Sequence, residues 1–303
     1  MAESGELLQG ESEGWTVEVS GPIPAEPPPA AAAHAAQWEA VTGAALPSLR
    51  LRHAGSCDAD ARTTRLGGLP LLLPGSKWPT TGDGTPLALI AQLHCGEVNA
   101  AYGSQVLPAG MLLSFFYEVE EQAWGYDPKH APYSRVIATD AAAAVATPVP
   151  EDVTVFPSFA MTAARVLTVP ESDETRVEGL WADRTVYGSA SAELYDAFEV
   201  DAASEAGPQH RVFGWPDLIQ NPMQLHCQLA ANGIYVGDSK GYRSRKAQRL
   251  LSGATDWILL CQIDTDDDVG WMWGDVGTLY FWIRRQDLAA ADFTRTWTIL
   301  QCT

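Results

Sequence analysis

This 303-residue sequence is poor in basic residues and in long apolar runs, and each shortage excludes a class of function. Lysine and arginine number 19 against 38 aspartate and glutamate residues, which leaves a net charge of −19. Nucleic acid is therefore not expected as a partner, because affinity for its phosphates comes from basic side chains. No run of about 18 apolar residues occurs, so no membrane partner and no membrane-spanning segment are predicted.

Cysteine is also scarce, and its spacing predicts free thiols. The five cysteines are widely scattered and form no Cys-x-x-Cys pair, which is typical of reduced cysteines in the cytoplasm. The first twenty residues carry several glutamates instead of the basic start and apolar run of a secretory signal. We therefore expect a cytoplasmic protein.

Common catalytic motifs are missing as well. The sequence contains no Gly-x-Ser-x-Gly turn, and Gly67-Gly68 lacks the Lys-Ser/Thr ending of a phosphate-binding loop. No catalytic residue and no cofactor are predicted, and an enzyme is the less favoured interpretation.

What is present indicates a packed α+β protein. Hydrophobic residues make up 46 % of the chain, and short apolar runs alternate with Gly/Pro turns without a regular βαβ order. We expect mostly antiparallel sheet with a few peripheral helices. The expected strands are 87–93, 111–119, 134–139, 153–156, 163–169, 225–229, 234–236, 257–263, 278–283 and 297–301, and the expected helical segments are 30–45, 190–203, 244–251 and 287–291.

The chain divides into a tail and one domain. Residues 1–29 are acidic at the start and end in Pro27-Pro28-Pro29, which predicts a disordered tail. Residues 30–303 are expected to form a single domain.

Two segments of this domain resemble each other and predict an internal duplication. Leu89–Leu93 and Leu259–Ile263 each contain one glutamine, and each is followed by a glycine and a strand ending in paired aromatics. A Gly-x-Pro turn precedes each copy, at Gly68–Pro70 and Gly214–Pro216. We expect two related halves, at about residues 62–170 and 205–303. The alternative is a chance resemblance between short apolar strings.

The order of several short motifs resembles that of the YwqG-like family of uncharacterised bacterial proteins. These motifs are Gly67–Pro70, Trp78-Pro79, Gln92-Leu93, Leu107–Gly110, Phe115-Phe116, Gly214–Asp217 with Gln220, Gln262–Asp264, Trp273–Gly277 and Tyr280–Trp282. The resemblance covers about residues 62–300 and implies a cytosolic α+β protein, whose relatives sometimes lie near toxin–immunity genes. It implies no catalytic residue.

Gln92 and Gln262 are the first candidate site residues, because a buried amide needs hydrogen-bond partners. One interpretation is that each glutamine ties down the Gly-x-Pro turn of its own half. The other is that they converge in a cleft between the halves and bind a small ligand together with Asp217, Gln220 and Asp275.

The acidic loop at residues 264–270 is the second candidate. Asp264, Asp266 and Asp268 alternate as in a calcium-binding loop, but Gly270 comes one position too late for that motif. The alternatives are a solvated hairpin loop or, because Trp271 and Trp273 flank it, a partner-binding surface. Trp124, in a second acidic and aromatic loop, is assigned to the same surface.

These observations favour a non-enzymatic binding protein. Its acidity fits a basic protein partner, since opposite charges speed association, and an immunity or antitoxin role would provide such a partner. The alternative is a small-molecule- or metal-dependent enzyme with its site between the two halves.

Overall fold

The computed structural model describes residues 35–170 and 207–303, together with Glu18, Val19 and Glu26. The remainder of the expected tail and the helix expected at 190–203 lie outside the described residues. Glu18–Val19 pairs with Leu167 and Thr168, so this part of the expected tail is a short strand.

The strands are β1 (Glu18–Val19), β2 (Leu46–Ser56), β3 (Arg65–Leu66), β4 (Leu71–Leu72), β5 (Ala88–His94), β6 (Met111–Tyr117), β7 (Ser134–Asp140), β8 (Val145–Ala146), β9 (Phe159–Thr168), β10 (Arg211–Val212), β11 (Trp257–Asp264), β12 (Thr278–Arg284) and β13 (Trp297–Gln301). The helices are α1 (Ala35–Gly43), α2 (Cys95–Tyr102), α3 (Gln224–Ala230), α4 (Ser239–Arg243), α5 (Arg245–Gln248) and α6 (Arg285–Ala289). Short 3-10 helices occupy Pro128–Tyr133, Leu251–Asp256 and Phe293–Arg295. Among the described residues, no helix is both long enough and apolar enough to cross a bilayer.

One antiparallel sheet dominates the fold, which confirms the predicted mostly antiparallel α+β class. Its strand order is β13-β12-β11-β10-β2-β9-β3-β5-β6-β7, with β1 beside β9. The long pair β2–β9 forms its centre. Strand β2 is absent from the sequence predictions, although its buried Leu49 and Leu51 alternate with the more exposed Arg50 and Arg52, as in a half-buried strand.

The sheet curls so that its two end strands, β7 and β13, approach each other. Its two ends are joined by the loop after β6: Trp297 Nε1 donates to the Gly125 carbonyl at 2.9 Å, and Leu300 N donates to the Trp124 carbonyl at 3.4 Å. Residues from both ends share one large apolar core, in which the Phe115 and Phe281 rings meet edge to face at 5.1 Å.

The strands on the two sides of the centre share local details. Arg65 pairs with Gln92 across β3 and β5, and Arg211 pairs with Gln262 across β10 and β11. A register shift interrupts each of the longer strands, at Leu89/Ala91 and at Leu259/Cys261. A positive φ occurs at two consecutive residues after each arginine, Gly67 and Gly68 in one place and Phe213 and Gly214 in the other.

Three strand predictions are wrong. Residues 225–229 lie within helix α3, and residues 153–156 and 234–236 form no strand. An apolar run of five residues has the same composition in a strand and in a buried helix, so its periodicity does not separate the two. Here Leu225 and Leu229, four positions apart, both pack in the outer cluster that covers β11 to β13.

The turn after β3 provides a test of backbone geometry. Gly67 has φ +60°, and a Cβ at this position would lie inside the van der Waals radius of the Pro157 carbonyl oxygen. Gly67→Ala should therefore lower the free energy of unfolding by about 3 kcal/mol, measured by urea denaturation. Gly75→Ala is the matched control, because Gly75 has φ +77° with nothing within 4 Å of its Cβ position, and it should lose only about 1 kcal/mol. Equal losses would show that the contact with Pro157 is unimportant.

Candidate functional site

The two core glutamines each bind a segment that precedes them in the chain. The Gln92 amide nitrogen donates to the carbonyls of Ala61 and Thr63, both at 3.1 Å, and its oxygen accepts from Arg65 at 3.3 Å. The Gln262 amide nitrogen donates to the Gln209 carbonyl at 2.8 Å, and its oxygen accepts from the backbone N–H of Asp217 at 2.9 Å. The amide groups are therefore used to anchor local loops.

The remaining predicted ligand residues lie in different places. Asp217 joins Gln262, and its carboxylate lies 3.5 Å from a nitrogen of Arg211. The Gln220 side chain donates to the Cys302 carbonyl at 2.8 Å. Asp275 lies on an exposed loop, where its carbonyl accepts from Thr303. The structure thus brings Asp217 and Gln262 together. Gln92 lies on β5, which is separated from β11 in the strand order by the central strands β2 and β9.

Two carboxylates of the acidic loop, those of Asp264 and Asp266, accept hydrogen bonds from other groups of the protein. Asp264 accepts hydrogen bonds from Gln209 N, Thr265 N and the Thr278 hydroxyl. Asp268 is exposed on the turn, and its N–H donates to Asp266 at 3.0 Å.

Asp266 is the centre of a cluster with two histidines. His53 comes from β2, His210 directly precedes β10, and Asp266 follows β11. The Nε2 atoms of His53 and His210 lie 2.7 and 2.9 Å from the same carboxylate oxygen, Oδ2 of Asp266. His210 and Asp266 are buried, whereas the His53 side chain is 22 % exposed and packs on the Phe159 ring at 4.7 Å.

The electrostatics of the cluster keep Asp266 ionised. Burial alone would raise the pKa of this carboxyl, but the hydrogen bonds from His210 and His53 outweigh burial and lower the pKa to about 2. The second oxygen of Asp266 accepts from the backbone N–H groups of Asp268 and Val269. The carboxylate therefore receives donors on both oxygens.

The hydrogen-bond pattern also assigns the proton on His210. Its Nδ1 accepts from the backbone N–H of Asp264 at 3.1 Å, so Nε2 carries the hydrogen that is donated to Asp266. The ligand atoms of His53, His210 and Asp266 lie within 4.8 Å of one another, a spacing that a metal ion would need. If Nε2 of His210 bound a metal, its hydrogen would have to move to Nδ1. Nδ1 already accepts a hydrogen bond from the backbone N–H of Asp264, so the two hydrogens would then oppose each other. The arrangement therefore fits a hydrogen-bonded cluster better than a metal centre.

Sequence reasoning identified Asp266 but missed both histidines. His53 and Asp266 are 213 positions apart in the chain. Each histidine is isolated in its own segment, so neither forms a local spacing pattern with the acidic loop. Only the pairing of β2 with β10, and of β10 with β11, brings them to the carboxylate.

The tryptophans that were expected on a partner surface divide into two groups. Trp271 and Trp273 are buried at 2 % and 1 % exposure, and Trp273 packs on the Tyr117 ring at 5.9 Å. They are therefore core residues in this structure, because a partner on the surface would not reach them. Trp124 is exposed, as is Met272 between the two buried rings.

Two loops, after β6 and after β11, carry exposed apolar side chains and carboxylates, and Tyr235 packs on the first of them. We name this region the aromatic–acidic surface. Its apolar members are 37 to 56 % exposed and comprise Trp124, Tyr126, Tyr235, Met272 and Val276. Its exposed carboxylates are Glu120, Glu121, Asp267, Asp268 and Asp275. Gln122 joins the loops, donating to the Met272 carbonyl at 3.1 Å and accepting from Gly274 N at 2.8 Å.

Comparison with known proteins assigns a family without a function. No curated protein matches the chain. Residues 64–302 match the model of a family described as a domain of unknown function, DUF1963. Because this match spans most of the chain, including both glutamines and two members of the histidine–aspartate cluster, the protein belongs to the DUF1963 family.

Proposed function

We propose that this protein is a non-enzymatic binding protein that holds a basic protein partner on its aromatic–acidic surface. The observation that supports the proposal is the pair of hydrogen bonds by which Gln122 ties the loop that carries Trp124 to the backbone of Met272 and Gly274. Exposed aromatic and methionine side chains surrounded by polar groups are typical of protein interfaces.

The backbone beneath this surface is well anchored. Trp124 accepts a hydrogen bond from Leu300 of β13, and the Tyr126 carbonyl accepts from Val236 N at 2.9 Å. The Tyr126 and Tyr235 rings pack edge to face at 5.6 Å. A surface held in place before binding loses little conformational entropy when a partner docks.

The charge of the surface determines the kind of partner. Exposed carboxylates lie on both loops, within a chain of net charge −19. A basic protein would be attracted electrostatically, and like-charged partners and nucleic acid would be repelled. We propose specifically that the protein acts in the cytoplasm as an immunity protein or antitoxin. Its five free thiols support that compartment.

The proposal includes a duplicated origin for the domain and its assignment to the YwqG-like group. The shared Arg–Gln pairs and the matching register shifts support two copies of one sheet unit, joined at β2 and β9. After duplication, the loops following β6 and β11 would have diverged to build the binding surface.

Calorimetric titration at low salt with a panel of purified basic nuclease toxin domains tests the proposed function. At least one domain should bind, and Trp124→Ala should weaken this binding by about 30-fold, because a central interface tryptophan contributes about 2 kcal/mol. Leu73→Ala is the matched control, since Leu73 is 45 % exposed and lies outside the surface.

Cytochrome c provides the nonspecific basic control for that titration. Binding that Trp124→Ala leaves unchanged, or binding no tighter than that of cytochrome c, would contradict the proposed surface. Absence of binding by every toxin domain would contradict the immunity role.

An enzyme is the second candidate function, and the cluster around Asp266 favours it. A half-buried imidazole held by an ionised carboxylate is the arrangement of a general base, and His53 has this geometry. His53→Gln would remove the base and leave Trp124 and Tyr126 unaltered. If partner binding survives in this variant, the histidine–aspartate cluster is not needed for binding, which supports the first candidate. If binding is lost, the cluster takes part in the protein's function.

A further inference from the structure

A cleft of about 210 Å³ lies where the two ends of the sheet approach each other, and none of its lining residues belongs to the aromatic–acidic surface. Three arginines from separate elements line it: Arg135 of β7, Arg284 of β12 and Arg295 of the 3-10 helix Phe293–Arg295. Strand β7 packs against this 3-10 helix, which brings the elements together. The described residues that line the cleft include no aspartate or glutamate, although the whole chain has a net charge of −19.

Contacts with other lining residues show where two of the guanidinium groups lie. Nη1 of Arg135 donates to the carbonyls of Ala131 and Ser134 at 2.9 and 3.1 Å, and Ala131 itself lines the cleft. The guanidinium carbon of Arg284 lies 5.7 Å from the centre of the Trp257 ring, which is also part of the wall. Both charged groups are therefore beside the cleft.

The third guanidinium is held near the second by a shared carboxylate. The two oxygens of Asp287 lie 2.7 Å from Nε of Arg284 and 3.8 Å from Nη1 of Arg295. Within the described part of the chain, no other carboxylate lies within ion-pair distance of the three arginines, and Arg135 has no such partner. Asp292 attracts Arg284 and Arg295 from farther away. The positive charge at the cleft therefore exceeds the negative charge that the protein places near it.

The hydrogen-bond donors that the cleft leaves unused are guanidinium N–H groups. Nη1 and Nη2 of Arg284 donate to no group of the described residues, and neither do Nε and Nη2 of Arg135. The other donor side chains of the wall already donate within the protein; they are Asn232, Trp257, Thr294, Thr296 and Trp297. A ligand for this cleft must therefore supply acceptor oxygens and negative charge.

We propose that this cleft binds the phosphate group of a small phosphorylated molecule. A phosphate monoester carries close to two negative charges at neutral pH and three acceptor oxygens, which suits several guanidinium groups better than the single charge of a carboxylate. Lys246 adds positive charge at the rim, where its Nζ donates to the carbonyl of the lining residue Asn232. The site is independent of the proposed protein partner.

Calorimetric titration of the full chain at low salt with glycerol 3-phosphate, glycerate and glycerol tests the proposal. These probes share a three-carbon skeleton and differ in the group at one end. Glycerol 3-phosphate should bind at least about tenfold more tightly than glycerate, and glycerol should not bind. Added salt should weaken the binding of glycerol 3-phosphate, because it screens the attraction between the charges.

Arginine variants show whether the binding occurs in this cleft. Arg135 and Arg295 are exposed, so Arg135→Gln and Arg295→Gln should fold, which circular dichroism would verify. Each variant should weaken glycerol 3-phosphate by about tenfold. Arg249→Gln is the matched control, because it removes the same charge from an exposed position outside the cleft, and it should change the affinity by less than about twofold.

The outcome does not depend on the aromatic–acidic surface. Trp124→Ala should leave the affinity for glycerol 3-phosphate unchanged, so failure here is distinguishable from failure of the proposed partner surface. Equal affinity for glycerol 3-phosphate and glycerate, equal losses in Arg135→Gln and Arg249→Gln, or no binding at millimolar concentration would overturn the proposal.

Discussion

Replacing Arg65 by alanine is expected to lower the free energy of unfolding by about 4 kcal/mol, among the largest effects of any single substitution in this chain. Arg65 is completely buried, and its guanidinium donates to the carbonyls of Ala61, Gly67 and Leu69 and to the oxygen of Gln92. The Ala61 carbonyl would keep its hydrogen bond from Gln92, but truncation would remove the Arg65 donor from the Gly67 and Leu69 carbonyls and from the Gln92 oxygen. Each acceptor left buried without a donor costs about 1 to 3 kcal/mol.

The chemistry of arginine explains why this position carries a charge inside the core. Burial lowers the pKa of Arg65 to about 10, against the opposing attraction of Cys57 and Asp60, so the guanidinium remains charged at neutral pH. Its planar fork reaches several carbonyls at once, which a single ammonium group does not match. Arg65→Lys should therefore also destabilise, though less than alanine.

Urea denaturation and thermal melting would measure the Arg65 effect. A loss of about 4 kcal/mol corresponds to a fall in melting temperature of about 10 °C for a domain of this size. Arg249→Ala is the control, because Arg249 is exposed, and it should change stability by less than about 0.5 kcal/mol. Similar losses in Arg65→Ala and Arg249→Ala would contradict the anchoring role.

Replacing Asp266 by asparagine is expected to cost about 2 kcal/mol at neutral pH and progressively less in acid. The folded pKa of Asp266 is about 2, below its ordinary value of 3.8. A carboxyl whose pKa is lowered by folding stabilises the protein above the unfolded pKa, and this stabilisation is lost as the pH falls from about 4 to about 2. This difference between the folded and the unfolded pKa corresponds to about 2 kcal/mol of stability.

Urea denaturation of the wild type and of Asp266→Asn at pH 7, 5 and 3 would measure this dependence. The difference between the two proteins should be largest at pH 7 and pH 5 and should shrink at pH 3. Asp268→Asn removes a carboxylate from the same loop at an exposed position, and it should cost less than about 0.5 kcal/mol. A difference for Asp266→Asn that is constant with pH would mean that the ionised carboxylate is not the source of its stabilisation.

Parts of the fold were predictable because they depend on short-range patterns. Strand β13 matches its predicted range of 297–301, and β12 was predicted to within one residue. Most of their residues are β-branched, aromatic or otherwise apolar, as is typical of strands. Helix α3 was not predictable in the same way, because its apolar run acquires a helical face only where it packs against β11 and β13.

Strand β2 was also missed, although its pattern was present. Leu49 and Leu51 alternate with Arg50 and Arg52. Because every second residue is an arginine, the segment lacks the apolar run by which the other strands were predicted, although it lies at the centre of the sheet. Their position beside β10 and β9 explains the pattern, since one face of β2 meets the core and the other carries polar groups.

The amino-acid sequence by itself determined the class of fold, the acidity of the surface and the buried position of Gln92 and Gln262, because these properties follow from composition and from residues close together in the chain. The tertiary structure alone decided which distant residues meet. It joined His53 and His210 to Asp266, and it placed Trp271 and Trp273 in the core while leaving Trp124 exposed. The physical reason is that strand pairing and core packing act between segments far apart in the chain, here 56 and 213 positions for the two histidines and Asp266, and no local pattern contains such a contact.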